Sequence, residues 1–239
     1  MAVTTRSILV PALGAGAVPA FVAMPPSGSG PGILLCQEIF GVNDYIRDRA
    51  RRLAALGYVT VAPQLYRRFG RDIEIDEADD DALERGLDYR RRLDFTGAID
   101  DAVATFEHMR ELPDVYPRIG VLGFCLGAGI AFGVAARTSP AAAVLYYGSD
   151  IPAQLDHAPD VRCPLLFHWG GDDDYVPESA RDAVAAAFEG RDVEAYVYPG
   201  AGHAFDNDRS PVFSRPEQAA EAWPRTEAFL ARTVPVGHH

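Results

Sequence analysis

Apolar residues along this chain occur in two periods that take turns. Short unbroken runs, Gly32 to Cys36, Tyr58 to Ala62, Ile119 to Leu122, Ala142 to Tyr147 and Pro164 to Trp169, lack the alternation of a half-exposed strand. They read as parallel strands covered on both faces. Between them, apolar positions recur at helical spacing. Ile46, Ala50, Leu53 and Ala54 mark a helix capped by Asn43 and Asp44, running through Leu56 and ended by Gly57. Ile99, Val103, Phe106 and Met109 mark a second, from about Thr96 to Leu112, closed by Pro113. An Ala-rich stretch reaching Arg137, Glu178 to Phe188 and Pro216 to Arg232 supply three more, and Val193 to Tyr198 a further strand. This alternation predicts an α/β fold, a mostly parallel central sheet with helices on both faces.

The N-terminus and one long connection fit this pattern less simply. Arg6 followed by the apolar stretch Ile8 to Met24 loosely resembles a secretory signal. Pro11, Pro19 and the Gly14-Ala15-Gly16 break favour two strands instead, about Ser7 to Val10 and Pro19 to Met24, joined by a turn. After Pro63 comes a longer connection, whose acidic run Asp72 to Glu84 is expected to be a solvated face. The terminal His238-His239 looks like a tag remnant and is set aside.

Composition narrows the class. With 239 residues, 48% of them hydrophobic, the chain can bury a large core as a single domain over 1–239. A net charge of −12 argues against nucleic-acid and anionic-membrane partners, which require a basic face. Three scattered cysteines, Cys36, Cys125 and Cys163, make neither a disulfide framework nor a metal-ligand spacing, so a reducing cytoplasm and no metal or cofactor are expected. Cys36 and Cys163 read as inert thiols. Nothing in the sequence separates a monomer from a small homo-oligomer.

Candidate chemistry gathers where strands end. Gly123-Phe124-Cys125-Leu126-Gly127 lies between an apolar strand and the Ala-rich helix. Small flanking residues and a nucleophile at the centre make it a nucleophile elbow, with cysteine in place of serine. The helix start supplies free N–H groups and a positive dipole end, which favour a thiolate and an oxyanion. Gly170 to Pro177 places Asp172, Asp173 and Asp174 after the next strand but one, and Gly202-His203-Ala204-Phe205 places a histidine in a Gly-rich loop. A thiol needs a base to take its proton, and the base an acid to fix its tautomer. Cysteine, aspartate and histidine follow in that order, though spacing alone does not choose among the three aspartates. Glu38 leaves the C-terminal end of a buried strand, the edge where open α/β sheets bind ligands.

Four segments resemble the dienelactone hydrolase family of α/β hydrolases: Gln37-Glu38-Ile39-Phe40-Gly41-Val42-Asn43, the elbow at Cys125, the Gly-Gly-x-Asp-x-x-Val-Pro segment at 170–177, and Gly202-His203-Ala204-Phe205. The resemblance spans nearly the whole chain. It implies the α/β-hydrolase fold, selects Asp173 as the acid, and gives the oxyanion to the N–H groups of Ile39 and Leu126. It also gives Glu38 a contact with the resting thiol, which it helps deprotonate once substrate binds. A small lactone or activated ester is the implied substrate, cleaved through a cysteinyl thioester. The two arginines that hold a substrate carboxylate in the family have no direct counterpart here. An ungapped count lands on Leu83, near Arg85, and on Asn207, near Arg209, so Arg85, Arg209 and Asn207 are the candidates for that role. Two alternatives stand beside this reading: a general carboxylesterase on neutral esters, and a non-catalytic thiol redox sensor or ligand-binding protein.

Overall fold

In the computed structural model, which describes residues 2–12 and 16–237, the strands form one sheet. The expected turn at Gly14-Ala15 and the terminal histidines lie outside the described residues. In chain order the strands are β1 (Thr4–Pro11), β2 (Ala17–Met24), β3 (Gly30–Cys36), β4 (Val59–Pro63), β5 (Val115–Phe124), β6 (Ala143–Tyr146), β7 (Leu165–Gly170) and β8 (Val193–Tyr198). Their spatial order is β1-β2-β4-β3-β5-β6-β7-β8. β3 to β8 are mutually parallel, while β1 and β2 add antiparallel at one edge. The unbroken apolar runs are the buried central strands, with every residue of β3, β4, β6 and β7 inside.

Among the described residues six α-helices cover the sheet: α1 (Asp44–Ala55), α2 (Ala82–Arg92), α3 (Phe95–Met109), α4 (Leu126–Arg137), α5 (Glu178–Ala187) and α6 (Pro216–Thr233). Apolar side chains alternate between two cores. Leu34 and Val121 pack with Ile99, Phe106, Ile130 and Val184 of α3, α4 and α5. Ile33 and Leu122 pack with Tyr45, Leu53, Trp223 and Phe229 of α1 and α6. The helix from Ala82 to Arg92 and a 3-10 helix at Pro152–Asp160 were not evident from the pattern. α2 carries only two buried residues, Ala82 and Gly86, so its apolar stripe is too narrow to stand out.

The chain leaves β3 for β4 on one side and returns to β5 on the other. Such a reversal opens a crevice beyond the strands' carboxyl ends. Glu38 follows β3 and Cys125 follows β5, so both emerge there. Among the described residues no helix is long and apolar enough to cross a membrane.

Candidate active site

Cys125 occupies a sharp turn between strand and helix. Its backbone lies at φ 52° and ψ −118°, between β5 and α4. A Cβ at Gly123 would overlap the carbonyl oxygen of Gly127, and one at Gly127 the carbonyl of Cys36, so both elbow glycines are required by close approach. The Cys125 N–H donates to the Tyr146 carbonyl at 3.0 Å. Leu126 opens α4, and its N–H, at the first helical position, has no carbonyl partner within the helix. Four non-glycine residues among those described have positive φ, and three of them, Cys125, Tyr147 and Ala204, lie at this centre.

The loop after β8 brings His203 to the thiol. Its Nε2 lies 3.0 Å from Cys125 Sγ, and its Nδ1 donates to Asp173 Oδ2 at 2.9 Å. Asp173 is itself fixed by the Tyr175 N–H, which donates to Oδ1 at 2.8 Å. The imidazole sits between aromatic rings, 5.3 Å from Tyr147 and 4.8 Å from Tyr175. Burial opposes charge on this ring, but Cys125 and Asp173 outweigh it and hold His203 well above the ordinary histidine range. Of the three acids left open by spacing, Asp173 is the one that reaches the histidine.

Glu38 is buried beside this chain with both oxygens occupied. Tyr147 donates to Oε1 at 3.0 Å and Asn207 to Oε2 at 2.7 Å. Contact between Glu38 and the thiol was expected from the resemblance. Here Sγ is paired with His203, and Glu38 is turned to Tyr147 and Asn207. Burial, reinforced by nearby Glu77, pushes Glu38 up to about 8, against the pull of Asn207, Tyr147 and His203. Glu77 belongs to the acidic run read as solvated, yet it is buried, takes a hydrogen bond from Asn43 and is itself pushed up to about 7 by burial. A linear charge count could not separate it from its exposed neighbours.

The Glu38–Phe40 turn is pinned from β4's side. Gln37 Oε1 accepts from the Leu65 N–H at 3.0 Å, and the Tyr66 hydroxyl donates to the Ile39 carbonyl at 3.0 Å. The Ile39 N–H donates to no other described residue. Ile39, Leu126, Cys125 and His203 all line one cavity of about 330 Å³, with Phe40, Leu83, Leu87 and Phe213 making much of its wall.

The three candidates for binding a substrate carboxylate are elsewhere. Arg85 is half-exposed on α2 and pairs with Asp79 and Asp81 at 3.0 and 3.2 Å. Arg209 is on the surface, paired with Asp48. Asn207 is fully buried, with its amide on Glu38 and its Oδ1 accepting from the Arg209 N–H at 3.1 Å, so it supports the carboxyl rather than the cavity. The arginines that do line the cavity are Arg90 and Arg91 of α2. Arg90 pairs with Asp150, 60 positions away in sequence, a link that no local pattern announces.

Comparison with known proteins identifies the family. The model of the dienelactone hydrolase family matches residues 18–234. The carboxymethylenebutenolidase of Pseudomonas sp. (strain P51) is 35% identical over 233 residues, 98% of each chain. That of Pseudomonas putida is 34% identical over 213 residues, covering 89% of this chain and 90% of its own. A crystal structure from Klebsiella pneumoniae, of a protein assigned to the dienelactone hydrolases, superimposes with a TM-score of 0.81 at 28% identity, over 97% of this chain and all of that one.

Proposed function

Since the chain belongs to the dienelactone hydrolase family and is a hydrolase, we propose that it cleaves a small lactone or activated carboxylic ester through a thioester on Cys125. The observation that carries this reading is the unbroken chain Cys125–His203–Asp173, at 3.0 and 2.9 Å, with Cys125 and His203 on the wall of a largely apolar cavity.

In the first half-reaction Cys125 Sγ adds to the carbonyl carbon, and the thiol proton rests on His203. Asp173 holds Nδ1–H and stabilises the imidazolium. The developing oxyanion is met by the N–H groups of Ile39 and Leu126, donors fixed before the charge appears. The C–O bond breaks, and the leaving oxygen takes the proton from His203. In the second half-reaction His203 accepts a proton from water, the hydroxide adds to the thioester, and the sulfur departs to release the acid.

Sulfur itself limits the substrate. A thiolate leaves readily, so the first tetrahedral adduct returns to reactants unless the alternative leaving group departs more easily still. Enolates and aryl oxides meet this condition more readily than simple alkoxides or amide nitrogens. An enol lactone, whose leaving group is a stabilised enolate, meets this condition. Glu38, whose raised proton affinity keeps it largely neutral near pH 7, leaves the adjacent thiolate without a like charge. Burial pushes the Cys36 and Cys163 thiols up to about 12, so Cys125 is the nucleophile, and three unpaired thiols accord with a cytoplasmic setting.

Mixing the enzyme with para-nitrophenyl acetate tests the reading. A burst of one acyl group per chain followed by steady turnover is expected, and Cys125→Ala should lower kcat by about 10⁴-fold or more. Equal turnover in that variant would overturn the assignment of the nucleophile.

A further inference from the structure

Which acyl group the cavity accepts can be read from how its charges are already used. Its wall is largely apolar: Ile39, Phe40, Leu83, Leu87, Leu126 and Phe213. Two guanidinium groups reach it, and neither is free. Arg90 is about two-thirds buried, lies 5.3 Å over the Phe95 ring and is paired with Asp150, whose side chain is 19% exposed. Asp150 is built in firmly. A Cβ at Gly129 of α4 would approach its Cβ to 2.7 Å, and Gln154 donates to its carbonyl at 3.0 Å. Arg91 is 65% exposed and pairs with Asp88 at 3.2 Å, where solvent screens it.

We infer that this site selects esters or lactones whose acyl part is uncharged and apolar, and that the Arg90–Asp150 ion pair enforces the choice. The inference rests on the hydrolase reading above and adds to it the class of substrate. A carboxylate entering the cavity loses its hydration among apolar side chains. To reach Arg90 it must displace Asp150, a like charge that stays packed against α4 after the exchange. An apolar acyl chain meets no such opposition and gains by leaving water. At about 330 Å³ the cavity has room for about ten water-sized groups, enough for a medium-length chain beside the reacting carbonyl. Discrimination of this kind works by an unfavourable term against the wrong ligand as much as by attraction to the right one.

The test compares kcat/KM for para-nitrophenyl hexanoate and for the para-nitrophenyl monoester of glutaric acid, whose chain is similar in length but ends in a carboxylate. Wild-type enzyme should favour the hexanoate by about tenfold or more. Asp150→Asn, which leaves Arg90 without its counter-charge, should shrink that ratio by about tenfold through a faster reaction of the charged ester. A wild-type enzyme that handles the charged ester as well or better overturns the inference while leaving the hydrolase reading in place. An unchanged ratio in a variant with wild-type circular dichroism also overturns it. Should Asp150→Asn fail to fold, the wild-type ratio alone decides. Silence on both esters would overturn the hydrolase reading, and this inference with it.

Discussion

His168 and His203 are buried imidazoles on adjoining parts of one sheet edge, and they are pushed in opposite directions. His168 lies inside β7, with Nδ1 2.8 Å from the Tyr198 hydroxyl and Nε2 2.9 Å from Thr226 Oγ1. Both partners are neutral, the Tyr146 ring packs 4.2 Å away, and burial followed by Arg225 drives the group down to about 3. His203 is almost as enclosed, but a carboxylate and a thiol flank it, and it is held above the ordinary range. Burial by itself makes a histidine inert. Hydrogen bonds to a carboxylate on one side and a thiol on the other make it a base.

The largest test of this contrast is chemical. His203→Gln should lower kcat/KM on an activated ester by about 10⁴-fold, and Asp173→Asn, which removes only the orienting charge, by about 10³-fold. In stopped-flow assays His168→Gln should stay within about threefold of wild type. A comparable loss in His168→Gln would erase the distinction between the two rings.

A smaller effect concerns acid stability. A base whose folded pKa is depressed leaves the unfolded chain binding more protons between about 3 and 6.5, so stability present above pH 6.5 is lost as pH falls. His168→Gln should cost about 2 kcal/mol at pH 7 through its two hydroxyl partners. The same variant should show a flatter fall in Tm between pH 6.5 and pH 4 than wild type, measured by calorimetry.

The smallest effect involves Glu38 and Glu77. Both are carboxyls raised from 4.5, to about 8 and about 7. The folded state therefore holds protons that the unfolded chain has released, and the contribution of these two groups to stability is full below pH 4.5 and is lost as pH rises through 7 to 8. Glu77→Gln removes one of the two charges and should raise stability at pH 9 by about 1 kcal/mol. No gain at pH 9 would mean that the pair is not electrostatically coupled.

How far the sequence disclosed all this depends on the kind of pattern involved. The unbroken runs of β3, β5 and β7 and the glycines of the elbow are forced by burial and close approach, constraints that act residue by residue and leave a local trace. The order of Cys125, Asp173 and His203 was legible because each follows a strand end, and a parallel sheet delivers all its strand ends to one edge. Less of a trace is left by pairings across the fold. Arg90 with Asp150 joins two surface-looking charges, and the buried Glu77 is one acid among many. Tyr147, which in the sequence only closes an apolar run, holds Glu38 through a hydroxyl whose partner lies 109 positions away. Arg85 and Arg209 were chosen by proximity in the chain, but the α2 helix turns one toward Asp79 and Asp81, and Asp48 holds the other at the surface.

The left-handed backbone at Cys125, Tyr147 and Ala204 also bears on how this enzyme could be altered. Each such residue costs about 1–3 kcal/mol relative to relaxed geometry, and the three turns sit after different strands, so no single repair unloads them. Selection for heat resistance alone would be drawn to glycine at these places, and each gain would remove the thiol, remove the tyrosine on Glu38 or loosen the segment carrying the imidazole. Durable variants that keep their turnover should instead carry their changes far from that edge, in the β1–β2 ribbon or the outer faces of α5 and α6.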